Sequence, residues 1–233
     1  ERIGFLINVV LAIVSSILVV VFIYIGYRVF KIINFQNNVI LGMIFFLILQ
    51  IASKCLLFSV NARIYGSDEP LSLSKAFYTI LPMCPVVSLT MAILLNLYNW
   101  LFYYFKIGQM ASTVDERAKK FGDHKFMNKA KNILKLALIT LILIVLAFCT
   151  WLSVYSIAND KNKVSLVGSV FGINFIVLGL AFGIIGFLNN QRLKYYFKDF
   201  YLENQKMLQL ATLGLSIPIM IRGCLDISRR SKS

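Results

Sequence analysis

The sequence predicts an all-α protein, a polytopic transmembrane helix bundle with six spans. Three observations carry this. Hydrophobic residues make up 59% of the 233-residue chain and mean hydropathy is +0.77, well above the roughly 45–50% apolar content of soluble domains. Charged residues are only 15% and cluster between long apolar runs. Finally, Leu81–Lys106 is long enough to cross a bilayer, for which about 20 apolar residues suffice. This run carries Pro85, Ser88, Ala92, Asn96, Asn99 and Tyr103 at steps of three or four, which places them on one helical face. Leu89, Ile93, Leu97 and Trp100 take the opposite side. Such a helix has one side for lipid and one that needs protein, water or ligand.

The first span, residues 4–29, is uniformly apolar and closes on Tyr24, Tyr27 and Arg28, the aromatic and basic types that favour a membrane interface. The second, 39–60, contains Gln50 and Lys54, the latter near enough to its end for the charged head to reach the headgroups. Gly66, Ser67, Asp68, Glu69 and Pro70 form a turn-rich link. The third span, 79–105, is expected to kink at Pro82 and Pro85, each of which lacks a backbone donor.

Residues 109–135 read as a basic cytosolic loop. Lys125, Phe126, Lys129 and Ile133 have helical spacing, so its end should extend the next helix. Lys119, Lys120, Lys125 and Lys129 are its candidates for anionic lipid headgroups. The fourth span is 136–155 and the fifth 164–188. Gly168, Gly172, Gly179, Gly183 and Gly186 form a stripe on the fifth, including two GxxxG units, which predicts close helix packing. Asn174 lies off that stripe. Residues 189–207 mix Lys and Arg with aromatics, as an interfacial helix would. The sixth span, 208–227, contains Pro218 and the i, i+4 pair Arg222 and Asp226. Five spans plus a surface helix is the alternative.

Orientation follows from the basic residues. The links after spans one, three and five carry 14 Lys and Arg, against 5 for the amino terminus and the other two links. The positive-inside rule then puts the amino terminus outside or lumenal, in a plasma (including ciliary) or endomembrane. The net charge of +14 thus speaks for lipid headgroups, with no nucleic-acid partner expected. The chain starts at Glu1, which reads as a fragment or a processed form.

Catalytic and metal-binding patterns are absent from the sequence. His124 is the one histidine, Cys55, Cys84, Cys149 and Cys224 show no ligand spacing, and no phosphate-loop, nucleophile-elbow or zinc-protease motif occurs. A non-catalytic protein without cofactor or metal is expected. The intramembrane polar residues Ser88, Asn96, Asn99, Asn174, Arg222 and Asp226 are left as candidates for a polar cavity or ligand site. Interhelical hydrogen bonding is the competing use for them.

Two tracts, LLNLYNWLFYY (94–104) and LGLSIPIMIRGCLDI (213–227), resemble the tobamovirus multiplication protein family and its protist relatives. The layout is similar to a seven-helix, amino-terminus-out receptor seen without its last helix. The third span lacks the acidic-Arg-aromatic triplet of rhodopsin-like receptors and the sixth lacks their Cys-Trp-x-Pro. The resemblance therefore implies a receptor-like or scaffold protein that binds a partner or small ligand, without G-protein coupling. The alternative is an accessory subunit of a larger membrane assembly (a channel, transporter or respiratory complex), docking a protein partner through the glycine face of span five.

Overall fold

A computed structural model of the chain describes residues 2–33, 38–66, 80–112, 124–158 and 164–228. The protein is all-α. Its helices are α1 (Arg2–Ile33), α2 (Asn38–Gly66), α3 (Cys84–Ala111), α4 (His124–Ala158), α5 (Val164–Tyr196) and α6 (Lys198–Ser228). All six are long and apolar enough to cross a membrane, which makes the chain a multi-pass integral membrane protein.

Five of the helices outrun their predicted spans, while α3 starts five residues later than predicted and ends six later. At about 1.5 Å per residue, the 33 residues of α5 reach roughly 50 Å, against a hydrocarbon core of about 30 Å. Lys125, Lys129 and Lys135, in the predicted loop, lie on the first turns of α4. The segment 189–207 is not a separate surface helix. Instead α5 continues to Tyr196 and α6 starts at Lys198, leaving Phe197 as the link. Its amide donates to the Leu193 carbonyl (2.8 Å) and its carbonyl accepts from the Tyr201 amide (2.9 Å). The aromatics and cations of this segment thus cap two long helices.

The prolines of α3 behave differently from the predicted kink. Pro82 lies in a turn closed by the Met83 amide on the Ile80 carbonyl (3.0 Å), and Pro85 falls in the first helical turn. The amides there have no intrahelical acceptor to lose, so proline starts the helix without bending it. Pro218 does lie inside α6. Four residues before it, where a proline ring crowds the carbonyl, stands Gly214, with open space around its Cα.

The described residues fall into two compact units. The first comprises Glu1–Leu95 with Ile144–Lys163, the second Asn96–Leu143 with Val164–Ser233. In the first unit α1 and α2 pair antiparallel. Gly26 meets Ile44 and Ile48, the Ser16 hydroxyl lies 3.1 Å from the Cys55 sulfur, and Gly4 lies against the Tyr65 ring. Contacts thus step back along α2 as they advance along α1. The unit also holds the most enclosed part of α3, where Ser88, Thr90, Met91, Ala92, Ile93 and Leu94 are all buried.

In the second unit α5 and α6 form an antiparallel hairpin. Gly172 faces Gly223 and Ile227, Gly179 faces Ser216 and Met220, and Gly186 faces Thr212. A methyl group on Gly223 would stand 2.5 Å from the Gly172 carbonyl oxygen, so backbone touches backbone. Such proximity replaces the hydrophobic drive that lipid surroundings remove. α5 is the span most covered by protein, with 39% of its window buried against 6% for α1 and α4.

Candidate functional site

The predicted polar residues do not gather into one site. Ser88 is buried in the first unit, whereas Asn96, Asn99 and Asn174 are half-buried in the second. Arg222 Nε donates to Asp226 Oδ2 at 2.8 Å on α6. None of these six residues lines either of the two cavities described below. Lys119 and Lys120, like Asp68 and Glu69, lie outside the described residues. Lys125 and Lys129 are exposed on α4.

The glycine stripe resolves unequally. Gly172, Gly179 and Gly186 are covered by α6, while a methyl on Gly183 would meet nothing closer than the Ser216 Cβ at 3.9 Å. Gly168 lies within α5 with its surroundings undescribed. The working spacing is therefore seven, not the four of GxxxG. Seven residues nearly complete two turns and drift only about 20°, so three contacts line up along a near-antiparallel neighbour. The face proposed for docking another chain is occupied at these positions by the chain's own α6, which removes the motive for the accessory-subunit reading.

The sequence missed the place where polar chemistry concentrates. The end of α3 and the end of α5, both in the second unit, are tied by side chains of α5 that donate to backbone carbonyls of α3. Asn189 Nδ2 donates to the Trp100 carbonyl (3.1 Å), and Arg192 Nη1 donates to the Tyr104 carbonyl (3.0 Å). The Arg192 guanidinium also stacks over the Tyr104 ring, 3.6 Å from its centroid. A planar cation suits this double use, since it can stack and donate in its plane at once. Trp100 meets Phe182 edge to face, with centroids 6.2 Å apart, within the favourable range for aromatic pairs.

The spacing explains the grip. Trp100 and Tyr104 are i, i+4, and Asn189 and Arg192 are i, i+3, so each pair lies on one face of its helix. Lipid was expected on the side of α3 that bears Ile93 and Trp100. Ile93 is instead buried, Trp100 packs on Phe182, and Tyr103 of the polar stripe is 44% exposed. Asn189 is buried, yet its Oδ1 has no hydrogen-bond donor among the described residues.

Two cavities flank this end of α5. One, of about 620 Å³, is lined by Tyr104, Leu188, Gln191, Arg192, Lys194, Tyr195 and Tyr196. The other, of about 580 Å³, lies along the α5–α6 hairpin between Phe187, Asn190, Lys194, Tyr201, Gln209 and Leu213, among others. Gln191 and Lys194 line both, and among the described residues neither wall contains an Asp or Glu. At the second cavity Asn190 Nδ2 donates to the Thr212 hydroxyl (3.3 Å), which donates in turn to the Leu208 carbonyl (2.9 Å). Asp199 and Glu203, near the bend, are exposed and line neither cavity.

This set of groups can bind and orient an anion. It offers cations, amides and phenols. Among the described residues no three of His, Cys, Asp and Glu gather to hold a metal ion. Compared with known proteins, the chain matches no family model, and no curated protein and no solved structure is significantly similar to it.

Proposed function

We propose that this six-span membrane protein is a non-catalytic, receptor-like or scaffold protein that binds a small anionic ligand at the basic end of α3 and α5. One observation carries the reading: Arg192 is held on Tyr104, and with Lys194 it lines a cavity of about 620 Å³ whose wall contains no carboxylate among the described residues. A cation already positioned by a ring and a carbonyl loses little further freedom when a ligand arrives, and that favours affinity. Tyr104, the α3 residue of this wall, belongs to the tract 94–104, one of the two on which the family resemblance rests. Under the positive-inside expectation this end faces the cytosol.

The test is native mass spectrometry of the full chain released from its own membrane. A small anionic species should remain bound to the wild type and be retained about fivefold less by Lys194→Gln. If the wild type carries none, or the variant retains as much, the reading fails.

A further inference from the structure

We infer that the ligand of this site is an anionic phospholipid, its phosphate held at Lys194 and its acyl chain laid along the α5–α6 groove. The inference rests on the anion-binding reading above and names the class of ligand. It concerns different residues from the lysines at the start of α4.

Polarity changes in one direction along the hairpin cavity. Gly183, Phe187 and Leu213 line its deep end together with Thr212, whose hydroxyl is already engaged by Asn190 and the Leu208 carbonyl, and Asn190, Gln191, Lys194, Tyr201 and Gln209 line the end nearest the bend. From Gly183 to Lys194 is about 16 Å at 1.5 Å per residue. That distance carries a lipid from its phosphate well into its chain. The apolar run of α5 ends at Leu188, so Phe187 sits at the last turn of hydrocarbon and Lys194 about 10 Å further out. The polar regions add roughly 10–15 Å in all to a core of about 30 Å, or about 5–7 Å on each side, so the Lys194 ammonium meets the headgroup layer by folding its long stem back toward it.

A soluble anion would have no use for the deep end. Phe187 and Leu213 are 59% and 54% exposed, and the methyl-sized space at half-buried Gly183 is bordered by Ser216 without being filled. A lipid without a phosphate would leave Lys194 unanswered, and a zwitterionic headgroup brings as much positive charge as negative, whereas no carboxylate among the described residues lines the cavity to neutralise Lys194. An amphiphile with a phosphate and net negative charge satisfies both ends. Lys194 and Gln191 also line the neighbouring cavity, whose wall includes Arg192 and three tyrosines. A headgroup with further hydroxyls or phosphate can extend there.

The experiment uses the full chain in nanodiscs of phosphatidylcholine containing a minor fraction of phosphatidylglycerol, with native mass spectrometry counting retained lipids. Three variants separate the terms. Lys194→Gln removes the cation. Leu213→Trp fills the apolar end and keeps the charge. Lys206→Gln, at an exposed residue lining neither cavity, removes equal charge elsewhere.

Wild type should retain phosphatidylglycerol over phosphatidylcholine. Lys194→Gln should weaken that preference about fivefold, the worth of one interfacial cation. Leu213→Trp should weaken it as well, and Lys206→Gln should leave it unchanged. Equal losses in Lys194→Gln and Lys206→Gln would mean diffuse surface attraction and overturn the inference. Binding of glycerol 3-phosphate without lipid retention, unaffected by Leu213→Trp, would overturn the lipid but leave the anion-site reading standing. Absence of both glycerol 3-phosphate and lipid binding would remove the two together.

Discussion

Replacing Gly223 by alanine tests whether the α5–α6 hairpin is held by backbone contact. A methyl at 223 would stand 2.5 Å from the Gly172 carbonyl oxygen, 2.8 Å from Ile176 Cγ1 and 3.0 Å from the Ile176 amide nitrogen. Two of these three atoms are backbone, so no side-chain rotation relieves them. Ordinary contact near 3.4 Å requires the helices to part by about 0.9 Å locally, and overpacking of this kind costs about 1–3 kcal/mol. Against it stands the gain of about 1 kcal/mol from exchanging glycine for alanine within a helix. The balance is a loss of up to about 2 kcal/mol. Gly214→Ala supplies the control, because nothing lies within 4 Å of the added methyl. It should show the propensity gain alone, about 0.5–1 kcal/mol. Both are measurable by titrating the protein with denaturing detergent in mixed micelles, followed by circular dichroism. A Gly223→Ala protein as stable as Gly214→Ala would refute close backbone packing.

Further outcomes follow from the same contacts. Gly183→Ala should be neutral to slightly stabilising in that titration, since its nearest neighbour would be 3.9 Å away, while Gly179→Ala should destabilise. Asn189→Asp should cost about 2–3 kcal/mol, because a carboxylate cannot donate to the Trp100 carbonyl and both acceptors stay buried. Asn189→Leu should be milder, as it also removes the buried Oδ1. Arg192→Lys should lower stability by about 1 kcal/mol, since an ammonium cannot stack flat on Tyr104 while donating to its carbonyl; Trp100 emission should shift as α3 loosens. Ser16→Ala in α1 should cost no more than about 0.6 kcal/mol, the average worth of an interhelical hydrogen bond in a membrane.

The spans were legible because lipid imposes one rule that composition obeys directly: every backbone group is satisfied within its own helix. Their ends were harder. Residues 189–207 carry enough charge to leave a hydropathy window, yet nothing in them breaks a helix except the bend at Phe197, so α5 and α6 run on beyond the apolar stretch. The glycine stripe was visible, but its repeat was misread. Gly179 and Gly183 look like a unit, whereas the partner surface of Thr212, Ser216 and Gly223 selects 172, 179 and 186. That partner signal, small residues at steps of four and seven on α6, was present and overshadowed by Arg222 and Asp226.

Polar character alone does not mark the site. Asn96 and Asn99 drew attention as amides in a span, while the groups that α5 grips are backbone carbonyls of Trp100 and Tyr104, which every residue owns. Nothing in a side-chain pattern marks a carbonyl for a second hydrogen bond. The tracts 94–104 and 213–227 share a physical role. Trp100 and Tyr104 in the first, and Met220, Gly223 and Ile227 in the second, all meet α5.

The one-residue link at Phe197 has a consequence for how the chain is made. With no loop to spare between them, α5 and α6 cannot be threaded into the bilayer as independent segments. α6 is the less apolar of the two, at mean hydropathy 1.5 against 2.3, and it contains Pro218, Arg222 and Asp226. Entering beside α5, with its backbone already against Gly172 and Gly179, it presents lipid with less polar surface than it would alone. Biogenesis of this region is therefore a paired event, and a ribosome stalled before Gly223 emerges should leave the emerged part of α6 outside the membrane.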